Sequence, residues 1–367
     1  MMRCNQLHDV RWADYTEEAL RAWNLQDAHV TKLSLSENAT YLIQDATGVR
    51  GVLRMHRPGY RTRAEIESEL AWLDAIEETG RIHIARAMPT CDGSKLGVFK
   101  NPLGDKQYAV LFNYLRGTTP HDADFTDNLE RIGSVAAILH TMSRTWMPPQ
   151  GFTRATYDCN HMFGSTCDYG DWRLTTGIDS TQREVFERVE RKIRHELASA
   201  ASRNAGFGLI HSDIRSDNLV IADDGTVQLL DFDDCAFGWY MFDLACTFTF
   251  DAARDDLEQQ IKTYLAGYMN AGGSLNASDF ALVPTCFMAR QLQMLAWIEF
   301  RNETDYAQRM HDTMIKEAES IAYRYLQDEY LMGIARMQGS APVPFDEDNK
   351  AHVDRLHVDR TPIDRAS

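Results

Sequence analysis

One stretch, Gly208 to Asp234, holds the residues best suited to chemistry. It sets His211, Asp213 and Asn218 in a first polar cluster and Asp231, Asp233 and Asp234 in a second. Between them lie two apolar, β-branched-rich segments, Leu219 to Ala222 and Val227 to Leu230, separated by Asp223-Asp224-Gly225. Short apolar runs around such a turn predict a β-hairpin, with both polar clusters at its open end. Carboxylates gathered at strand ends, with one side-chain amide among them, supply the hard oxygen ligands that suit Mg²⁺.

The elements that position this hairpin follow from the rest of the pattern. An opening helix is predicted over 11–27, then strands at Val30 to Leu35, Tyr41 to Gln44 and Val49 to His56 with short turns between them. Thr62 to Glu78 reads as an amphipathic helix with Ile66, Leu70, Leu73 and Ile76 on one face. Ile82 to Met88 and Tyr108 to Leu115 read as further strands. Arg116-Gly117-Thr118-Thr119-Pro120 is a break and the predicted domain boundary. Beyond it, helices are predicted at Asn128 to Met142, Gln182 to Ala201, Trp239 to Asp251, Leu257 to Met269, Phe280 to Phe300 and Tyr306 to Met332. The expectation is an α+β protein in two parts. Residues 1–117 form a β-rich unit with one long helix, and residues 118–338 form a mostly helical unit with an aromatic cap over 145–180. A polar tail, 339–367, completes the chain.

Composition narrows the function. The apolar fraction of 44% is that of an ordinary globular protein, and no apolar run approaches a membrane span. Seven scattered cysteines without a Cys-x-x-Cys pair, and a start without a signal-peptide pattern, predict a reducing, cytoplasmic setting. Cys159, His161, Cys167 and Asp168 lie close together but match no zinc spacing. Residues 1–117 carry 15 basic and 15 acidic side chains, so the whole net charge of −16 falls on residues 118–367. That acidity argues against nucleic acid or an anionic membrane as partner and favours a cationic or amine-bearing small molecule, unless it serves solubility alone.

The pattern His211-x-Asp213-x4-Asn218, followed at hairpin distance by Asp231-Phe232-Asp233 and then by Asp243-Leu244-Ala245, resembles the aminoglycoside phosphotransferase and choline kinase superfamily. Leu53 to Gly59 and Ser68 to Leu73 also look like that family's N-terminal lobe, and the likeness spans roughly Leu33 to Trp297. The resemblance implies the two-lobed protein-kinase-like fold and an ATP- and Mg²⁺-dependent phosphotransferase acting on a hydroxyl of a small metabolite or antibiotic. By the same resemblance, Asp213 would take the acceptor proton, Asn218 and Asp231 would hold Mg²⁺, and His211 and Asp243 would brace the loop. Arg54 would bridge phosphate and Glu69. Ser36, Asn38 and Thr40 would cover the phosphates, and Phe112, Asn113 and Leu115 would meet the adenine.

Three positions depart from the pattern. Arg54 stands where the family usually has lysine, the phosphate-covering turn has no glycine, and Ser212 replaces the arginine of protein kinases. Substrate contacts are expected from Asp233, Asp234, Tyr169, Trp172, Arg290 and Trp297. A protein Ser/Thr kinase of the same fold, and a catalytically weak nucleotide-binding regulator, remain as alternatives. The short interval from Asp231 to Asp243 leaves little room for a peptide-docking activation segment.

Overall fold

The computed structural model describes residues 10–101 and 104–338, so the predicted tail over 339–367 lies outside the described residues. The chain opens with short helical turns at Val10–Asp14 and Arg21–Trp23 around α1 (Thr16–Leu20), in place of one long opening helix. Strands β1 (His29–Leu35), β2 (Asn38–Asp45) and β3 (Gly48–His56) follow as an antiparallel meander. After α2 (Arg63–Thr79) come the short β4 (His83–Ile84), then β5 (Gly97–Lys100) and β6 (Lys106–Phe112). The five-stranded sheet has the order β1-β2-β3-β6-β5. Its edge strand β1 is irregular, with a register shift between Lys32 and Ser34.

Side chains alternate across a strand, and the sheet uses both faces. Leu53 and Met55 of β3 and Ala109 and Leu111 of β6 pack outward against Trp12, Leu20 and Trp23 of the opening turns. Val110 and Phe112 point the other way, onto Ile66, Leu70, Leu73 and Ile76 of α2. Arg54 lies between Leu53 and Met55, so the same alternation turns it inward toward α2. That helix starts at a capping box, in which Thr62 and Glu65 satisfy each other's backbone N–H, and ends at left-handed Gly80.

The helical part holds α3 (Asp122–Asp127), α4 (Leu129–Thr145), α5 (Cys159–Phe163) and α6 (Ser180–Ser202). Then come β7 (Phe207–Ile210), β8 (Leu219–Ile221), β9 (Val227–Leu229) and β10 (Ala236–Trp239), followed by α7 (Tyr240–Thr247) and α8 (Leu257–Asn270). The chain continues through α9 (Ala277–Phe300), α10 (Asp305–Leu326) and α11 (Met332–Ala335). Helix α9 is apolar on nearly every side, which suits an interior helix. It packs against α6, α7, α10 and α11 and buries Arg290, Gln291 and Gln293 along with its apolar residues. Helices α4 and α8 cross where Gly133 and Gly267 meet the opposing backbone: a Cβ at Gly267 would collide with the Glu130 carbonyl. Among the described residues, no helix is long and apolar enough to cross a membrane.

The predicted hairpin is β8–β9, antiparallel, turning at Gly225 with φ +82°. The long strand predicted at Ile82 to Met88 is reduced to β4, which pairs in parallel with β9 and not with the sheet. Strands β7 and β10, not foreseen, pair with each other. The loop from β7 to β8 and the loop from β9 to β10 therefore lie side by side.

Candidate active site

The two loops are pinned to one another and to α7. Asp243, fully buried, accepts from the backbone N–H of His211 (3.1 Å) and of Ser212 (2.5 Å), and its carboxylate also meets His140 Nε2 at 2.8 Å. His211 Nε2 donates to the Leu230 carbonyl across the hairpin (2.9 Å), which leaves Nδ1 to accept from the Asp213 N–H (3.3 Å). Ser212 Oγ donates to the Asp234 carbonyl. Ser212 and Asp231 both sit in left-handed backbone (φ +64° and +56°), which L-residues other than glycine adopt at a cost of roughly 1 kcal/mol or more. The hydrogen bonds just described hold that strain in place.

Asp213 stands at the tip of the first loop. Its Oδ1 accepts from Arg290 Nη2 (2.8 Å); its Oδ2 accepts from Asn218 Nδ2 (2.7 Å) and Arg215 Nε (3.1 Å). Burial pushes this carboxyl up, but the charges of Arg215 and Arg290 outweigh it and hold the group below the usual carboxylate range.

Asp231 faces it from the second loop with about half of its side chain, 51%, open to the cleft. Arg54 bridges two acids, giving Nη1 to Asp231 (3.1 Å) and Nη2 to Glu69 of α2 (2.6 Å). Desolvation and the neighbouring carboxylates of Asp233, Glu69 and Asp213 push the Asp231 carboxyl up to about 6, against the pull of Arg54. A carboxylate this crowded by like charge gains from a cation. Asn218 and Asp231 line the same cavity and together present oxygen donors of the kind Mg²⁺ takes. Among the described residues no group of three or more His, Cys, Asp or Glu is arranged for a metal ion. A site of one amide and one carboxylate would therefore rely on phosphate and water oxygens for its remaining ligands.

Two cavities adjoin here. One, of about 410 Å³, is lined by Leu33, Val52, Leu73, Ala85, Phe112, Asn113 and Leu115 and reaches Arg54, Asn218 and Asp231. Asn113 spends its backbone N–H and its side-chain oxygen on Arg86 (3.0 and 2.5 Å), which fixes the strand end that walls this cavity. The second, of about 310 Å³, contains Asp213, Arg290, Met294, Trp297, Tyr169, Phe250 and Tyr306. Thr40, Arg54 and Asp231 border both. The β1–β2 turn covers the second cavity with Ser36 and Asn38. Its backbone is clasped by Arg57 (2.5 Å to the Ser36 carbonyl), and Glu37 pairs with Arg301 at 3.1 Å.

Some expected contacts fall elsewhere. Trp172 does not face the cleft: it is fully buried, packs edge-on against Phe186 and donates to Glu190 (3.0 Å). Of the aromatic residues predicted in the 145–180 cap, Tyr169 reaches the cavity while Phe163 and Trp172 join the helical core. Asp233 and Asp234 line the cavity but are already engaged. Asp233 accepts from Asn38 (3.0 Å), and Asp234 accepts from Arg61 (2.7 Å) and Tyr169 (3.1 Å). Asp233 Oδ1 is buried with no hydrogen-bond partner, whereas Asp234 is held on both oxygens, by Arg61 and Tyr169, so an incoming amine would share these acids with partners already in place. Sequence reading missed Arg61, which also binds Asp168 at 2.7 Å, together with Arg215 and Arg301. Arg215 alone had a local signal, lying inside the Asp213-to-Asn218 loop.

The chain matches the model of the phosphotransferase enzyme family over residues 29–277, and it belongs to that family. It is a kinase, with the two-lobed protein-kinase-like fold. It is similar to the solved structure of a microcompartment-associated aminopropanol kinase, with 29% identity and a TM-score of 0.78, over 87% of this chain and 98% of that one. An amicoumacin kinase, solved in complex with AMP-PNP, Ca²⁺ and Ami, shares the fold at 17% identity and a TM-score of 0.69, over 94% and 97% of the two chains. An uncharacterized protein of Deinococcus radiodurans is 26% identical over 296 residues, 77% of this chain and 82% of that protein.

Proposed function

We propose that this kinase transfers the γ-phosphoryl group of ATP to the hydroxyl of a small, amine-bearing alcohol. One observation carries the reading: two cavities meet at Arg54 and Asp231, and Asp213 lies on the far side of that junction, in the second cavity alone. The first cavity has an apolar lining and a strand end fit for a nucleotide base. The second is small and holds the carboxylate that would orient an alcohol. In this reading residues 1–117 carry the nucleotide and residues 118–338 the acceptor.

Asp213 aligns the acceptor oxygen and receives its proton; a loose transition state asks for position more than for base strength. Arg54 and the β1–β2 turn lie where the phosphates would enter. Asn218 and Asp231 would hold Mg²⁺, which when bound neutralises phosphate charge. For the amine, the second cavity offers aromatic faces: Trp297, Tyr306 and Phe250 form a chain of edge-to-face contacts at 6.3 and 6.0 Å, and Tyr169 lines the same cavity. Such faces attract an ammonium group by about 0.5–2 kcal/mol. The similarity to an aminopropanol kinase supports the same acceptor class. The segment from Asp231 to Asp243 is consumed by β10 and the start of α7, which disfavours a protein substrate.

The test is a ³¹P NMR screen of ATP, Mg²⁺ and a panel of amino alcohols, non-amine alcohols and aminoglycosides. Turnover is expected with short amino alcohols. Asp213→Asn should lower kcat by about 10²–10⁴-fold while the protein melts normally. Preference for uncharged alcohols, or an Asp213→Asn enzyme as fast as the parent, would sink the reading.

A further inference from the structure

We propose that Arg290 is a positioning residue for Asp213, and that it directs the acceptor hydroxyl to the Oδ1 side of that carboxylate. This rests on the reading of Asp213 as the group that receives the acceptor proton.

The inference begins with lone pairs. A carboxylate oxygen accepts about two hydrogen bonds. Oδ2 of Asp213 already receives two, from Asn218 and Arg215. Oδ1 receives one, from Arg290. The open acceptor position is therefore on Oδ1, beside the Arg290 guanidinium.

Arg290 itself is held on every side. Its Nε donates to Thr249 Oγ1 (3.0 Å), its Nη1 to Gln293 Oε1 (2.7 Å) and its Nη2 to Asp213. Arg290, Gln293 and Thr249 are all buried. Thr249 is fixed in turn, with its hydroxyl on the Cys246 carbonyl (2.7 Å) and its own carbonyl on Gln291 (3.1 Å). A guanidinium with three engaged nitrogens is a rigid strut between α9 and the catalytic loop, not a mobile phosphate clamp.

The helix adds direction. Arg290, Met294 and Trp297 recur along α9 at the spacing of a single helical face, Arg301 follows at its C-cap, and all four line the second cavity. The residue that fixes the carboxylate thus shares a face with the residues that wall the acceptor. An alcohol lying on Met294 and Trp297 meets Asp213 from the Arg290 side. As its oxygen bonds to the γ-phosphorus, the bond to the β–γ bridging oxygen breaks. ADP leaves with that electron pair, and the hydroxyl proton passes to Oδ1.

The experiment measures kcat and both KM values for Arg290→Ala, Arg290→Lys and Thr249→Val, with melting curves for each. Arg290→Ala should lose about 10²-fold in kcat, with acceptor and nucleotide KM within about threefold, because misplacement of the reacting groups costs rate more than binding. Methylguanidinium added to Arg290→Ala should restore at least about tenfold of that loss, and Arg290→Lys should fall between. A kcat within twofold of the parent, a loss confined to KM, or no response to methylguanidinium in a folded variant would overturn the proposal. Should Arg290→Ala fail to fold, Thr249→Val decides: kcat reduced about threefold or more supports the strut, and unchanged kcat overturns it. An inactive Asp213→Asn beside a fully active Arg290→Ala sinks the strut alone; an active Asp213→Asn sinks the base assignment under it.

Discussion

Arg54 serves two acids of different standing. Glu69 is fully buried and depends on Arg54 for its charge compensation, whereas Asp231 is half open to the cleft. Removing one member of a buried pair leaves an uncompensated charge, at a cost of about 3–5 kcal/mol, while replacing both with apolar groups is often neutral. Arg54→Met should therefore lower the urea midpoint strongly, and Arg54→Met with Glu69→Met should recover most of the loss. Equal destabilisation in the single and double variants would show that the pair is not the source. The grouping of Asp213, Asn218 and Asp231 was legible in the sequence because they flank one hairpin, close together along the chain. Arg290 and Arg61 were harder. Arg290 approaches Asp213, and Arg61 approaches Asp234, only after the chain has folded back on itself. No local spacing records which carboxylates such arginines will meet, so the partners of Asp234 could not be read from its own neighbourhood.

Helices set the frame in which those residues meet. The α4–α8 crossing depends on backbone approaching backbone at Gly133 and Gly267. Gly267→Ala would force the Glu130 carbonyl aside, an overpacking cost of about 1–3 kcal/mol. A chemical denaturation midpoint should fall accordingly; an unchanged midpoint would mean the helices can part without loss. The long helices were legible because their apolar residues repeat with the helical period over many turns. Two short strands were not. The pattern over Ile82 to Met88 reads as one long strand where only His83–Ile84 forms, and Phe207–Ile210, which was not foreseen, contains Gly208, whose lack of a side chain weakens any strand pattern. Both form because a partner strand is waiting, Val227–Leu229 for the first and Ala236–Trp239 for the second. Tertiary pairing, rather than local preference, decides such elements.

Across the whole molecule the lobes are joined by side chains as well as by the chain itself. Arg61 reaches from the segment before α2 to Asp168 and Asp234, Asn38 reaches Asp233, and Glu37 reaches Arg301. Arg61→Met removes the first tie, so limited proteolysis in the connecting segment 113–120 should speed up several-fold, and the acceptor KM should rise. Cleavage at the parental rate would show that the remaining ties suffice. A little of the charge asymmetry is offset here: Arg61 and Arg54 of the first lobe meet Asp168, Asp234 and Asp231 of the helical lobe, while Glu37 runs the other way to Arg301. The irregular edge of the sheet has a separate consequence. Where β1 shifts register between Lys32 and Ser34, the outer row of backbone donors and acceptors is interrupted and Leu33 stands 54% exposed. An interrupted edge carrying a lysine is a poor template for a strand from another molecule. That irregularity guards the sheet against growing into aggregates through its first strand.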